Sequence, residues 1–152
     1  MGREQILAEE DQAWADLREA MAAVPAERRL IEGVVPGWST HDTVWHTAYW
    51  VGRAADVLDL ASQGPPYPDE PDDESYYDEE NAQVFATGRG MTWDEVLDHF
   101  AAGRDRARGA MGRSAESDLE WMSERLTEEI EHFREHASQI RAFAAGQHGE
   151  AS

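Results

Sequence analysis

The chain has 152 residues, no Cys, and 13 basic against 32 acidic residues, a formal charge of −19. Every basic residue is Arg. A chain of this length buries roughly 70% of its unfolded surface without cross-links, and lack of Cys removes disulfides, catalytic thiols and thiolate metal sites of its own. The acidic surplus argues against a nucleic-acid partner and an anionic membrane surface, both of which require basic residues; the only dense basic run, Arg104, Arg106 and Arg108, has Asp105 inside it.

Apolar residues at 41%, six of them Trp, are enough to build a core. No stretch approaches the roughly 20 apolar residues of a membrane span, and MGREQILAEEDQ lacks the basic start and apolar run of a signal peptide. A cytoplasmic protein is the expectation.

Along the chain, Ile6, Leu7, Trp14, Leu17, Met21 and Val24 recur at helical spacing, predicting a first helix over 3–24 that Pro25 closes. GVVPGWST reads as a loop, and no alternating strand pattern appears. Ser39 or Thr40 can cap a second helix running to about residue 62, with Asp42 in its first turn. GPPYPDEPDDES holds four of the six Pro and a carboxylate block, and reads as a long exposed loop. A short helix is expected over 76–89, ended by the GRG turn. Thr92 to Glu95 then forms a capping box for a third long helix that reaches about residue 111. Residues 112–117 read as a break, 119–122 as a turn or short helix, and 124–145 as the last helix with Gly146 as its stop. The expected fold is all-α: a four-helix bundle with a short accessory helix and a long Pro-rich loop, one domain over 1–146 and a flexible tail over 147–152.

The chemistry-bearing residues are six His, at 41, 46, 99, 132, 136 and 148. His132 and His136 stand one turn apart in EHFREH and can share one ion. Leu126, Ile130, Phe133, Ala137, Ile140 and Ala144 form an apolar seam, and His136 falls about 60° and His132 about 100° to one side of Phe133. His46 borders the core-facing arc of the second helix in the same way. Three His from two helices give three nitrogen ligands and leave positions for water or substrate. The competing reading makes His46 a hydrogen-bonded core histidine and the 132/136 pair a solvated face. His41 is expected at the surface of the first turn, His99 outside the pocket, and His148 in the tail. Asp42 and Glu129, one turn before His46 and His132, are candidates to accept the second imidazole N–H.

The segments PGWSTHDTVWHTAYW and EEIEHFREHASQI, with their separation, resemble the DinB-like superfamily, which includes mycothiol and bacillithiol S-transferases and the N-terminal domain of mycothiol-dependent maleylpyruvate isomerase. The stretch from Asn81 to Met111 is similar to the third-helix region of these proteins and of the colibactin self-protection family. The resemblance implies a DinB-like bundle, a metal triad of His46, His132 and His136 holding zinc or nickel, and mycothiol as a thiol cosubstrate. It also implies a pocket drawn from Trp50, Asn81 and Gln139. The implied reaction is attack by an activated thiol, or water, on a small electrophile. The alternative is a binding or self-resistance protein that sequesters or hydrolyses a reactive natural product in a Trp-rich cavity (Trp38, Trp45, Trp50, Trp93). A third reading is a homodimer without turnover, its metal closed off by a carboxylate such as Asp98.

Overall fold

The computed structural model describes residues 2–146; the expected tail, with His148, lies outside the described residues. Helix α1 spans Arg3–Ala22, α2 Thr40–Ala61, α3 Glu74–Gly88, α4 Trp93–Arg113 and α5 Leu119–Ala144. α1 packs chiefly on α5 and α2 on α4, with α5 also against α2 and α3 lying along α2. This is a helical bundle, formed because each long helix buries one apolar stripe. Trp14, Phe100 and Phe133 knit α1, α4 and α5 together, with ring centroids 4.6 Å apart for Trp14 and Phe100 and 5.4 Å for Phe100 and Phe133.

Three features differ from the sequence expectation. First, the segment read as a loop contains an antiparallel hairpin, β1 (Glu32–Val35) and β2 (Trp38–Ser39), with Val35 opposite Trp38. Pro36 and Gly37 make its turn, Gly37 supplying a φ of 83° that other residues rarely adopt. Strands of four and two residues are too short to show alternation. Second, α4 runs through Gly112 to Arg113, and the break falls at Ser114 and Ala115, which are both extended. Third, α5 is one 26-residue helix that already begins at Leu119. Its seam extends back through Met122 and Leu119, both buried at the same three-to-four spacing. Residues 62–73 contain no helix or strand, and within them Tyr67 stacks on Trp121 and donates to Asp118 at 2.6 Å.

Helix starts follow the sequence signals closely. Ser39 caps α2 and Thr92 caps α4, each in a complete capping box with Asp42 and Glu95. The basic run on α4 is neutralised internally. Arg104 makes two 2.6 Å hydrogen bonds to the buried Glu10 of α1, Arg108 adds another at 2.7 Å, and Arg106 reaches Asp56 and Asp59 of α2.

α2 and α4 approach closely at Gly103, where a Cβ would lie 2.9 Å from Val51 Cγ1 and 3.2 Å from the Gly52 nitrogen. Gly112, on the same helix, has nothing within 4 Å of such a Cβ. Gly103→Ala is therefore expected to destabilise the fold by roughly 1–3 kcal/mol. Gly112→Ala should be neutral or stabilising by up to about 1 kcal/mol. Chemical denaturation of both variants checks the pair, and equal midpoints would contradict the packing described.

Candidate active site

α2 and α5 present their histidines to each other. His46, half-buried on α2, and His136, buried on α5, have ring centroids 5.4 Å apart at an interplanar angle of 87°. His132 lies one turn before His136, with centroids 6.0 Å apart. Sequence periodicity selected these three residues, and the fold brings them together. Trp38 of the hairpin closes over His46 edge to face at 4.9 Å, so the hairpin that the sequence reading missed forms part of the site's wall.

The nitrogens are differently occupied. His136 Nδ1 sits 2.8 Å from Gln139 Oε1. With a carbonyl oxygen as partner, this nitrogen is the N–H donor and Nε2 keeps its lone pair. His132 Nδ1 faces Glu129 Oε1 at 3.8 Å. His46 Nδ1 is buried and has no hydrogen-bond partner among the described residues. A buried imidazole without a partner stays neutral, and the His46 pKa is pushed down to about 3 by burial, with the charges of His136 and His132 acting in the same direction. Burial also lowers that of His136. The Glu129 carboxylate raises that of His132, against burial.

The structure treats the two acidic candidates differently. Glu129 stands beside His132, buried, with Oε2 bound by Arg125 at 2.9 Å. Asp42 is the N3 partner of the α2 capping box, its Oδ2 taken by Ser39 and its Oδ1 3.5 Å from Arg89; no hydrogen bond joins it to His46 Nδ1. His41 is buried rather than at the surface, hydrogen-bonded through Nε2 to the Met91 carbonyl at 2.9 Å and through its backbone N–H to the Arg29 carbonyl at 3.0 Å, with the Trp93 ring of α4 beside it. His99 is exposed on α4, edge-on to Trp45, and Asp98 beside it is also exposed.

Beyond the histidines a cleft of about 380 Å³ opens between α2, α3, α5 and the segment before α3. Trp50 and Asn81 both line it, joined by a 2.7 Å hydrogen bond from Trp50 Nε1 to Asn81 Oδ1. Trp45 pins α3 again through its Nε1 bond to the Val84 carbonyl, 2.9 Å long, and packs on Gly88, where any side chain would collide with the indole. The Trp set thus divides: Trp38 and Trp50 belong to the site, Trp45 is core, and Trp93 lies by Arg29 and His41 on another face. Sequence reasoning missed Tyr76, Tyr77, Arg125, Glu70 and Glu128 on the cleft wall. Glu128 and Arg125, at four and seven residues before His132, were the available signal, since that spacing keeps residues on one helical face.

A family model described as the DinB superfamily matches residues 10–149. The chain belongs to the DinB superfamily. No curated protein and no solved structure shows a significant match to it. As a DinB-superfamily chain it is a helical bundle whose described residues contain no helix long and apolar enough to cross a membrane. Among the described residues, no group of three or more His, Asp or Glu side chains has the geometry to hold a metal ion as it stands.

His46 and His136 bind protons less readily in the folded chain than an ordinary imidazole of pKa 6.5. The unfolded chain then takes up more protons as pH falls, so these two groups lose stability below that value. His132 acts in the opposite sense: its raised pKa contributes stability at low pH that is lost as pH rises through the folded value. Denaturation between about pH 6.5 and 4 should show His46→Gln falling less steeply than the parent chain, by up to about 1.4 kcal/mol per pH unit. Parallel slopes would contradict a His46 held neutral.

Proposed function

We propose that this DinB-superfamily chain is a metal-dependent enzyme in which His46, His132 and His136 hold a divalent ion, zinc or nickel, and the adjoining cleft binds a small electrophile. The observation that carries the reading is the convergence of three imidazoles from α2 and α5, one of them with a buried nitrogen that no described residue satisfies.

The donor set fits such an ion. Neutral imidazole nitrogens suit zinc and nickel, and three of them leave room for a further ligand. Two imidazoles on one tetrahedral ion have centroids roughly 5 Å apart, and the present 5.4 and 6.0 Å are somewhat longer. A divalent ion bound there would lower the pKa of a coordinated thiol or water, supplying a nucleophile at neutral pH.

The chain's own residues have distinct tasks. Gln139 fixes the His136 tautomer by accepting its Nδ1–H, and the Glu129 carboxylate lies 3.8 Å from His132 Nδ1. Trp38 shields His46 from water, and Trp50 and Asn81 shape the wall next to it. With no Cys in the chain, a thiol nucleophile has to come from a small molecule, mycothiol being the cosubstrate that family resemblance implies. The product is then a thioether or an isomerised unsaturated acid; with water as nucleophile it is a hydrolysed electrophile. A second reading, capture of a reactive natural product without a thiol, draws on the two indoles Trp38 and Trp50 flanking the site.

The test joins metal content to a thiol screen. Elemental analysis and zinc titration are expected to give one ion per chain. His136→Ala should weaken zinc binding by more than about 100-fold, and Gln139→Leu by about 10–100-fold, as is typical of an outer partner. Mycothiol, bacillithiol and glutathione, offered with small electrophiles, should show turnover that tracks the metal. A chain that binds no zinc or nickel at micromolar concentration would end this reading; metal-independent protection against an electrophile would favour the second.

A further inference from the structure

A second cavity, of about 320 Å³, lies between α1 and α4 and shares no residue with the cleft beside the histidines. The two helices leave this space because each packs chiefly on another, α1 on α5 and α4 on α2. Trp14, Arg18 and Met21 reach it from one face of α1, and Trp93 and Leu97, one turn apart, from one face of α4. Arg29, from the connection that follows α1, completes the wall.

The charged groups on this wall are two guanidiniums and no carboxylate, in a chain of net charge −19. Among the described residues, neither Arg18 nor Arg29 makes an ion pair or donates a side-chain hydrogen bond. Arg104, Arg106, Arg108, Arg125 and Arg141 are by contrast each tied to two or more carboxylates. The residues three and four away from Arg18 on α1 are Trp14, Ala15, Met21 and Ala22, so those positions of its own helix offer it no carboxylate. Arg29 lies 4.4 Å from the Trp93 ring centroid. Stacking engages the face of a guanidinium and leaves its N–H donors, which lie in its plane, for another partner.

The rest of the wall is apolar: the two indoles with Leu97, and Met21 and Val24, both buried. Arg104, 4.8 Å from the Trp14 centroid, is bound to Glu10 and does not line the cavity. An apolar hollow with two uncommitted guanidinium forks matches a ligand that has an apolar body and a carboxylate head.

We propose that the α1–α4 cavity binds a small amphiphilic monocarboxylate, its apolar body between Trp14, Met21, Trp93 and Leu97 and its carboxylate at Arg18 and Arg29. The charge of the whole chain opposes an anion, so the preference is local to these two side chains. Neither side chain belongs to the histidine site, and the inference stands apart from the metal reading.

Calorimetric titration of the full chain with octanoate, phenylbutyrate, octanol and octylammonium tests it. Both carboxylates are expected to bind about tenfold or more tighter than octanol, and octylammonium no better than octanol. Octanoate and phenylbutyrate offer a flexible chain and a ring to the same guanidiniums, and the tighter of the two identifies the body of the ligand. Arg18→Gln and Arg29→Gln should each weaken carboxylate binding about fivefold and leave octanol binding unchanged, a split that loss of structure would not produce. Arg18 is exposed, so its variant keeps the test open if Arg29→Gln disturbs the Trp93 stack. Equal affinity for acid and alcohol, or carboxylate binding unchanged in Arg18→Gln, would overturn the proposal. So would a parent chain that sediments as a dimer and an Arg18→Gln variant that sediments as a monomer, since a second copy would then cover the cavity.

Discussion

The approach of α2 to α5 is the contact on which the candidate site depends. It sets His46 and His136 at 5.4 Å, a separation that neither helix could produce alone. The approach is held from both sides. α4 supports α2 through the Gly103 contact, and the Trp14, Phe100 and Phe133 cluster fixes α5 against α1 and α4. Desolvation then acts on what the packing has assembled. It keeps His46 and His136 neutral, which makes both rings lone-pair donors at physiological pH. Packing thus creates the donor set, and burial sets its protonation state.

Charge is the second organising theme. A chain at −19 has far more carboxylates than guanidiniums, and it spends many of its Arg as ties between helices. Glu10 is buried because Arg104 and Arg108 both reach it, joining α1 to α4. Arg106 joins α4 to α2, Arg141 joins α5 to α1 through Asp16, and Arg3 of α1 binds the carbonyls of Met111 and Ser114 that close α4. Removing one partner of the buried Glu10 group would strand a charge in the core, a far larger effect than losing an exposed pair. Arg125 is the exception in kind: surrounded by three carboxylates at the cleft, it is outnumbered.

The helices, and the positions of His46, His132 and His136 at the edges of their apolar stripes, were legible in the sequence because both depend on local periodicity. Ser39 and Thr92 with their acidic partners three residues on marked two helix starts, and the seam from Leu126 to Ile140 placed His132 and His136 at its border. Less was legible where geometry is non-local. The hairpin of Val35 and Trp38 is too short to leave a pattern, yet it supplies the indole over His46. The cleft wall joins Glu70, from a segment without secondary structure, to Tyr77 on α3 and Arg125 on α5, three stretches with no shared periodicity. Asp42 sat one turn from His46 and also three residues from a cap, and the structure shows the capping role because Ser39 takes its Oδ2. His41 looked solvent-facing by position, but Arg29, Met91 and Trp93, distant in sequence, meet it in the fold.

The central claim is that His46, His132 and His136 act as one ligand set. Loading with cobalt(II), whose visible absorption reports its coordination, tests it most directly. The account predicts one equivalent of cobalt with the intense bands of a four-coordinate site, and loss of those bands in each of His46→Ala, His132→Ala and His136→Ala. An unchanged spectrum in any one of the three variants would contradict it.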